Sequence, residues 1–431
     1  MKSRNKFFLI YYIALLLIMA MHASTGSTPM VVRIGYFVAL FLPLIGNYQF
    51  FPAILICVLL ISQNSFAYPL VPDDNYYYVI ISAGFAFFSA IHNKTAIAGQ
   101  DRTSPIFFLL IVYLCLSNII LDGKVLDITS SVFICVMLYV CASKNLPLNS
   151  RLISLIFMFF SVSMSYLLFF HPEARLIAAH GEDNTTWADP NYLGGMVGIG
   201  CTLAVMSIIN MKKSVWQFVF YIITIIASLY FLSLMASRGS FLAVGVATIA
   251  LTLFSKVKKR TKFLTLIGVV GVLLYIYNSE AFEVLMSRFD TSDTTGTGRT
   301  LIWAAKLKGF VQEGSLINFL FGFGAQGGFS LGASDLGVVW AFHNDFVAVL
   351  CEYGIVGLVL YLSLLAYPYR VATKEDKPVI GALLLYIIIL GMTLEPVMSG
   401  RFVFIAYLLF IIILAKGGVQ RDSIGFYYSN Y

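Results

Sequence analysis

The stretch VWQFVFYIITIIASLYFLSLMASRGSFLAVGVATIALTLF, residues 215–254, carries one charge, Arg238, over 40 residues. Forty helical residues extend about 60 Å, roughly twice the thickness of the hydrocarbon core of a bilayer. Two membrane-spanning helices are therefore predicted, and they must turn within residues 237–240, Ser-Arg-Gly-Ser. This stretch predicts a helical membrane protein.

The composition of the whole chain extends that prediction. Of the 431 residues, 59% are hydrophobic and 11% are charged, with a mean hydropathy of +0.87, whereas soluble domains are about 25% charged. A soluble globular protein is excluded. The formal charge of +7 is scattered between apolar runs, so nucleic acid is not expected as a partner. The six cysteines lack metal-ligand spacing, and neither disulfides, a bound metal nor another cofactor is predicted.

Apolar runs bounded by charges, Pro or Asn give the predicted crossings. Several runs have only 15 residues, fewer than the 17 to 25 usual for a crossing. The second and third runs could instead form one re-entrant hairpin, so the predicted fold is an all-α polytopic membrane protein with 12–14 transmembrane helices. The runs lie near residues 7–21, 31–45, 48–62, 76–91, 105–120, 128–142, 152–170, 192–210, 216–236, 239–254, 263–278, 343–366, 378–394 and 402–415.

The charges assign a side to each loop, because cytoplasmic loops carry an excess of Lys and Arg. With both termini cytoplasmic, nineteen of the 28 basic residues lie inside and seventeen of the 21 acidic residues lie outside. The predicted location is the inner (cytoplasmic) membrane. The basic N-terminus, its apolar run and the following HASTGS resemble a secretory signal, but an uncleaved first helix is expected.

Three regions follow from this topology: a helical bundle over residues 1–278, a large external loop over 279–342, and C-terminal helices with a cytoplasmic tail over 343–431. Within the loop, GRTLIWAAKLKGFVQEG predicts an amphipathic helix at the outer membrane surface. The glycine-rich segment FGFGAQGG, residues 321–328, then leads back to the membrane. The apolar residues that recur at helical spacing are Leu301, Ile302, Ala305, Leu307 and Phe310.

Several charged residues are assigned to the outer face. Arg238 either marks a helix end, as a snorkelling side chain, or binds an anion, because a guanidinium presents a rigid fork of donors to phosphate oxygens. A lone histidine at a helix start is usually structural. His343, however, shares its face with Arg238, Arg288 and Arg299, so a candidate base would lie beside several anion-binding groups.

Glu352 follows His343 by nine residues and would lie about 13 Å deeper along a helix. An acid within a membrane segment is a functional candidate, although it could equally be a buried partner of one of the arginines. A weaker candidate site in the shorter external loop consists of His171, His180 and Asp189. The Asp73-Asp74 pair is interpreted mainly as a solvated turn. Phosphate-binding loops and dinucleotide fingerprints do not occur, so ATP- or NAD-driven chemistry has no support.

Five segments resemble the superfamily of O-antigen polymerases and O-antigen ligases, which are glycosyltransferases of the bacterial envelope. The similarity covers residues 189 to about 365 in the right order, whereas the first 180 residues match only in being helical. The segments are DPNYLGG (189–195), ASRGSFLAVGVA (236–247), GRTLIWAAKLKGF (298–310), GFGAQGGFSLG (322–332) and FHNDFVAVLCEYGIVGLVLYLSLL (342–365).

The resemblance implies a metal-independent enzyme similar to the GT-C class of membrane glycosyltransferases. By position, Arg238 and Arg299 match arginines thought to bind the diphosphate of an undecaprenyl diphosphate-linked glycan. His343 matches the histidine thought to activate the acceptor hydroxyl. Proximity adds three expected substrate-binding residues, Arg288, Asn344 and Glu352.

Polymerase and ligase remain the two alternatives, and the polymerase is favoured because the chain has little beyond the shared core. The expected acceptor is a lipid-linked repeat unit for a polymerase or lipid A core for a ligase, and a chain-length regulator is a possible partner. A flippase for lipid-linked glycans is disfavoured, because its charged residues would lie in a cavity between two similar halves. A non-enzymatic scaffold would not explain Arg238, Arg299 and His343 on one side.

Overall fold

The computed structural model of the protein describes several stretches between residues 150 and 415 and a few earlier positions, and every regular element among these residues is helical. The described residues are 150–170, 190–209, 215–235, 237–255, 259–278, 299–337, 339, 341–395 and 402–415, with seven positions between 109 and 121. The predicted crossings before residue 105 and at 128–142 lie outside them, as do the proposed hairpin and both termini.

Eleven α-helices and one 3₁₀ helix, Gly327–Ser330, make up the described part. The α-helices are α1 Ser150–Phe170, α2 Pro190–Ile209, α3 Val215–Leu234, α4 Arg238–Phe254, α5 Lys259–Tyr277, α6 Arg299–Glu313, α7 Leu316–Phe321, α8 Ala333–Leu336, α9 Asp345–Val371, α10 Lys377–Thr393 and α11 Phe402–Ala415.

These bounds confirm the all-α polytopic fold. Among the described residues, α1, α2, α3 and α9 are long and apolar enough to cross a membrane, and α4 and α10 are shorter apolar helices. The predicted turn between α3 and α4 is present, but α3 ends at Leu234 and α4 begins at Arg238, so residues 238–240 of the predicted turn belong to α4. The total number of crossings stays a prediction.

Helix α2 lies at the centre of the bundle and packs against α1, α3, α4 and α10. Small residues permit this close approach, as is usual between membrane helices. The Ser161 hydroxyl on α1 donates to the Val197 carbonyl at 2.9 Å, and the Tyr386 hydroxyl on α10 donates to the Gly195 carbonyl. These contacts fix α1 and α10 relative to α2.

Helix α9 is broken at Gly354, which has φ 65° and ψ −168°. The break leaves carbonyls without their usual helical partners, and the glycine-rich segment supplies donors to two of them. The amide of Phe323 donates to the Cys351 carbonyl at 3.0 Å, and the amide of Gly324 donates to the Glu352 carbonyl at 2.9 Å. The loop is therefore attached to the interior of a membrane helix. The sequence predicted an uninterrupted run over 343–366, because apolar periodicity does not reveal a break made by tertiary contacts.

Two glycines make this attachment possible. A Cβ on Gly354 would lie 2.4 Å from the Leu320 carbonyl oxygen, and a Cβ on Gly322 would lie 2.2 Å from the Glu352 carbonyl oxygen. Both residues also have positive φ, a conformation that side chains disfavour. Gly354 of α9 therefore touches the backbone of the loop, and Gly322 of the loop touches the backbone of α9. We call this contact the loop–helix crossing.

Replacement of Gly354 with Ala is expected to destabilise the protein by about 3 kcal/mol, the upper end of the usual range for one substitution. The added methyl group would meet backbone atoms that cannot move aside independently. The measurement is the midpoint of thermal unfolding in detergent. Gly337→Ala is the matched control, because Gly337 has φ 71° but open space around its Cβ position, so it should lose only about 1 kcal/mol. Equal losses of stability in the two variants would contradict the proposed role of the loop–helix crossing.

Helix α6 forms where the sequence predicted, but its buried face differs. Ile302, Ala305 and Phe310 are buried as expected, whereas Leu301 and Leu307 are 59% and 38% exposed. Lys306 takes part in the buried face instead and is 0% exposed. The difference arises because loop carbonyls surround the lysine amine. The apolar residues of α7, among them Leu316, Ile317 and Phe319, are exposed, and the position of this region at the membrane surface stays a prediction.

Candidate functional site

Four helices begin near the C-terminal end of α10: α2, α4, α6 and α9. Each helix start leaves backbone N–H groups without partners in the helix and carries a partial positive charge. The starts of α4, α6 and α9 contact the segment Thr393-Leu394-Glu395, which is the last residue of α10 and the two residues after it. The segments of the sequence resemblance therefore converge at one end of the bundle.

Arg238 is the first residue of α4, between α2 and α10. A Cβ on Gly239 would lie 2.4 Å from the Thr393 hydroxyl oxygen, so only glycine permits this approach. On the other side, the Ser240 hydroxyl donates to the Asn191 carbonyl at 3.1 Å. Arg238 itself is half-buried, and the two residues after it contact both neighbouring helices.

Arg299 reaches the same point from α6. Its Nη1 donates to the carbonyl of Thr393 at 2.7 Å. Because Gly239 also touches Thr393, the starts of α4 and α6 lie against one residue. The structure thus brings the positions of Arg238 and Arg299 together, although they are 61 residues apart in the sequence.

His343 lies in the short segment that precedes α9 and has a left-handed backbone, with φ 51°. Its backbone N–H donates to the Glu395 carboxylate. The carbonyl before it, that of Phe342, accepts a hydrogen bond from Trp303 Nε1 at 2.8 Å. His343 is therefore held from α6 on one side and from the end of α10 on the other.

Asn344 fixes the start of α9. Its side-chain oxygen accepts from the amides of Phe346 and Val347 at 2.9 and 3.1 Å, the usual arrangement of an N-cap. Its Nδ2 donates to the Met392 carbonyl at 3.3 Å. Both polar groups of this side chain thus have protein partners, and its expected contact with substrate stays a prediction.

Asp345, the first residue of α9, strengthens the same junction. It is 0% exposed, its amide donates to the Leu394 carbonyl at 3.1 Å, and its carboxylate accepts from the Tyr361 hydroxyl at 3.0 Å. Glu352 lies further along α9 and accepts from the amide of Gln326 at 2.9 Å. Glu352 therefore helps to attach the glycine-rich segment to α9.

A buried lysine and a buried glutamate flank Phe342. The Lys306 amine lies 5.1 Å from the centre of the Phe342 ring and donates to the carbonyls of Phe329 and Gly328. Burial lowers the pKa of Lys306, and nearby groups, Cys351 and Glu395 among them, oppose that shift. Burial also raises the pKa of Glu395 to about 7, against the effects of the His343 amide and the Lys306 charge.

The remaining candidates fall outside the described residues: Arg288, His171, His180, Asp189 and the Asp73-Asp74 pair. Among the residues that the structure does describe, no three His, Cys, Asp or Glu side chains are close enough together to bind a metal ion.

Four residues of this junction were not singled out from the sequence: Trp303, Lys306, Thr393 and Glu395. Glu395 carried a usable signal, because it is an acid directly after an apolar run on the face that holds the other candidates. Lys306 carried none, since an isolated lysine on an amphipathic helix is normally solvated.

Comparison with known protein families gives one match over this region. Residues 222–362 match the family model described as O-antigen ligase, which confirms the resemblance seen in the sequence. The match runs from α3 into α9 and contains Arg238, Arg299 and His343, whereas Thr393 and Glu395 lie beyond it. No curated protein matches the chain.

Proposed function

We propose, from the match of residues 222–362 to the family model described as O-antigen ligase, that this membrane protein is a metal-independent glycosyltransferase of the O-antigen ligase and polymerase superfamily. Its donor is an undecaprenyl diphosphate-linked glycan, and its acceptor is a sugar hydroxyl. The preferred reaction joins repeat units of O-antigen or a related surface polysaccharide. The observation that carries the proposal is the meeting of the Arg238 and Arg299 helix starts at Thr393, next to the segment of His343.

Arg238 and Arg299 bind the donor diphosphate in this proposal. Guanidinium groups match phosphate oxygens geometrically, and the surrounding helix starts add partial positive charge. A diphosphate becomes a good leaving group once its charge is stabilised, so preorganised cations suffice for departure. Arg288 is proposed to assist from the loop.

His343 is the proposed general base. A neutral imidazole accepts the proton of the acceptor hydroxyl while the hydroxyl oxygen attacks the anomeric carbon of the donor. The new glycosidic bond forms as the bond to the diphosphate oxygen breaks, and undecaprenyl diphosphate departs with that electron pair. Direct displacement inverts the anomeric configuration. Asn344 and Glu352 are proposed to shape the acceptor side of the site.

A ligase is the second candidate, in which the acceptor is lipid A core. The family match supports both reactions equally, and the polymerase is preferred because the chain has little beyond the shared core. A flippase would need charges in a central cavity between two halves, but the described candidates gather at one end of the bundle.

The site end of the described helices is proposed to face the outside of the inner membrane, with both chain termini in the cytoplasm. The lipid-linked donor then approaches from the outer leaflet. In the polymerase reaction, a chain-length regulator is a further expected partner.

A deletion strain tests the proposal through its surface glycan, separated by length on a gel. We expect lipid A core capped by a single repeat unit, with the ladder of longer chains restored by the wild-type gene. Uncapped core together with accumulated long carrier-linked glycan would identify a ligase instead. If repeat units accumulate on their carrier at the cytoplasmic face of the membrane, the protein is a flippase. An unchanged glycan would contradict all three readings.

A further inference from the structure

We propose that Glu395 is a positioning residue for His343: its carboxylate holds the histidine backbone in the left-handed conformation from which the imidazole meets the acceptor. This inference rests on the proposed function, since it assigns a role toward the same base. It extends beyond the matched family region, which ends at residue 362.

The first step is the backbone of His343. A left-handed conformation costs a non-glycine residue roughly 1 to 2 kcal/mol, so the surrounding structure must impose it. His343 has φ 51°, and its amide donates to the Glu395 carboxylate. The amides of Phe342 and Asn344 also act on that carboxylate. The backbone at His343 thus turns toward the Glu395 carboxylate, as a left-handed residue permits.

The second step is that other contacts fix the neighbours of His343. Trp303 holds the Phe342 carbonyl at 2.8 Å, and the Asn344 side chain caps α9 and contacts Met392. At His343 itself, the bond from its amide to Glu395 completes this support. Removing the carboxylate would free the one residue whose orientation the reaction requires.

The third step is the charge around Glu395, which is 5% exposed. From α6, the buried Lys306 amine acts on it as an opposite charge, and Arg299 contacts Thr393, two residues away. From the segment before α9 it meets the His343 backbone, and Asp345 of α9 contacts the intervening Leu394. Lys306 and Glu395 thus form a buried pair of opposite charge around Phe342.

The geometry also predicts a pH effect. The Glu395 pKa is raised from 4.5 to about 7, so the carboxylate is lost as pH falls through neutrality. The negative charge that supports the His343 backbone is then lost on the acid side. Replacing Glu395 with Gln removes this titration. The acid limb of the kcat profile should therefore move to lower pH.

The experiment uses the full-length protein in detergent, with lipid-linked glycan extracted from the deletion strain as donor. We expect Glu395→Ala to lower kcat about 10- to 100-fold, the scale of a misplaced catalytic group, with KM nearly unchanged. Glu395→Gln keeps an acceptor oxygen for the His343 amide, so it should lose less than about 10-fold and show the shifted acid limb. Glu375→Gln is the matched control, since Glu375 is exposed at the other end of α10.

Three results would overturn the inference: wild-type kcat in Glu395→Ala, an unmoved acid limb in Glu395→Gln, or a loss confined to KM. Thermal unfolding of each variant identifies misfolding, in which case Glu395→Gln, the smaller change, decides. If the wild-type protein transfers no glycan in this assay, the proposed function fails. If the wild type transfers and both variants match it, only the role of Glu395 fails.

Discussion

Replacing His343 with Asn should abolish glycan transfer while leaving the binding of undecaprenyl diphosphate nearly unchanged. Loss of a general base costs about 10² to 10⁴ in rate, and the asparagine side chain cannot accept the proton at neutral pH. Asparagine tolerates the left-handed region better than most residues, so the backbone at φ 51° is expected to persist. Transfer is measured with extracted lipid-linked glycan, and binding with undecaprenyl diphosphate alone.

A backbone effect must be separated from the loss of the base. His343→Ala removes both the imidazole and some backbone tolerance, so it should be less stable than His343→Asn. Gln326→Ala is the matched control, because Gln326 also has positive φ, 59°, but contacts Glu352 rather than the helix starts. If His343→Asn loses donor binding as well as transfer, His343 is a donor-binding residue and the assignment as base is wrong.

Replacing Arg299 with Ala should remove both donor binding and transfer, and Arg238→Ala should do the same. The removal of one preorganised donor to a developing charge typically costs about 10²- to 10³-fold in rate. Arg299→Lys and Arg238→Lys keep the charge but not the fork of donors, so they should recover part of the binding. The measurement is the affinity for undecaprenyl diphosphate, followed by transfer at saturating donor.

Arg299 needs a stability control because its Nη1 also holds the Thr393 carbonyl. Thermal unfolding of Arg299→Ala shows whether the end of α10 has loosened. Arg370→Ala is the matched control for both arginines, since Arg370 is exposed in the last turn of α9, far along the helix from the site. Normal donor affinity in a well-folded Arg299→Ala or Arg238→Ala variant would contradict the diphosphate site.

The sequence predicts the helices well because the length of an apolar run can be measured directly along the chain. The runs predicted at 192–210 and 216–236 correspond to α2 and α3, and the single charge at Arg238 marks the start of α4. The candidate residues Arg238, Arg299 and His343 could also be chosen from the sequence. Their meeting at the end of α10 could not, because α10 is far from all of them along the chain.

The features that were missed depend on tertiary contacts. Lys306 is buried because its amine donates hydrogen bonds to the Phe329 and Gly328 carbonyls. The sequence pattern of α6 does not predict these contacts. The break at Gly354 follows from backbone contact with residues 320–324, whereas the local sequence reads as one apolar helix. Glu395 acquires its importance only through the amide of a residue 52 positions earlier.

The crossing at Gly322 and Gly354 has a consequence for protein engineering. Because the loop donates two backbone hydrogen bonds to carbonyls inside α9, it is not an interchangeable module that ends where the membrane begins. A chimera designed to change glycan specificity by exchanging residues 299–342 alone would combine a foreign loop with the native break in α9 at Gly354. The exchanged segment should instead end after Gly354. The glycine-rich segment and the first part of α9, whose carbonyls accept its hydrogen bonds, then come from the same parent.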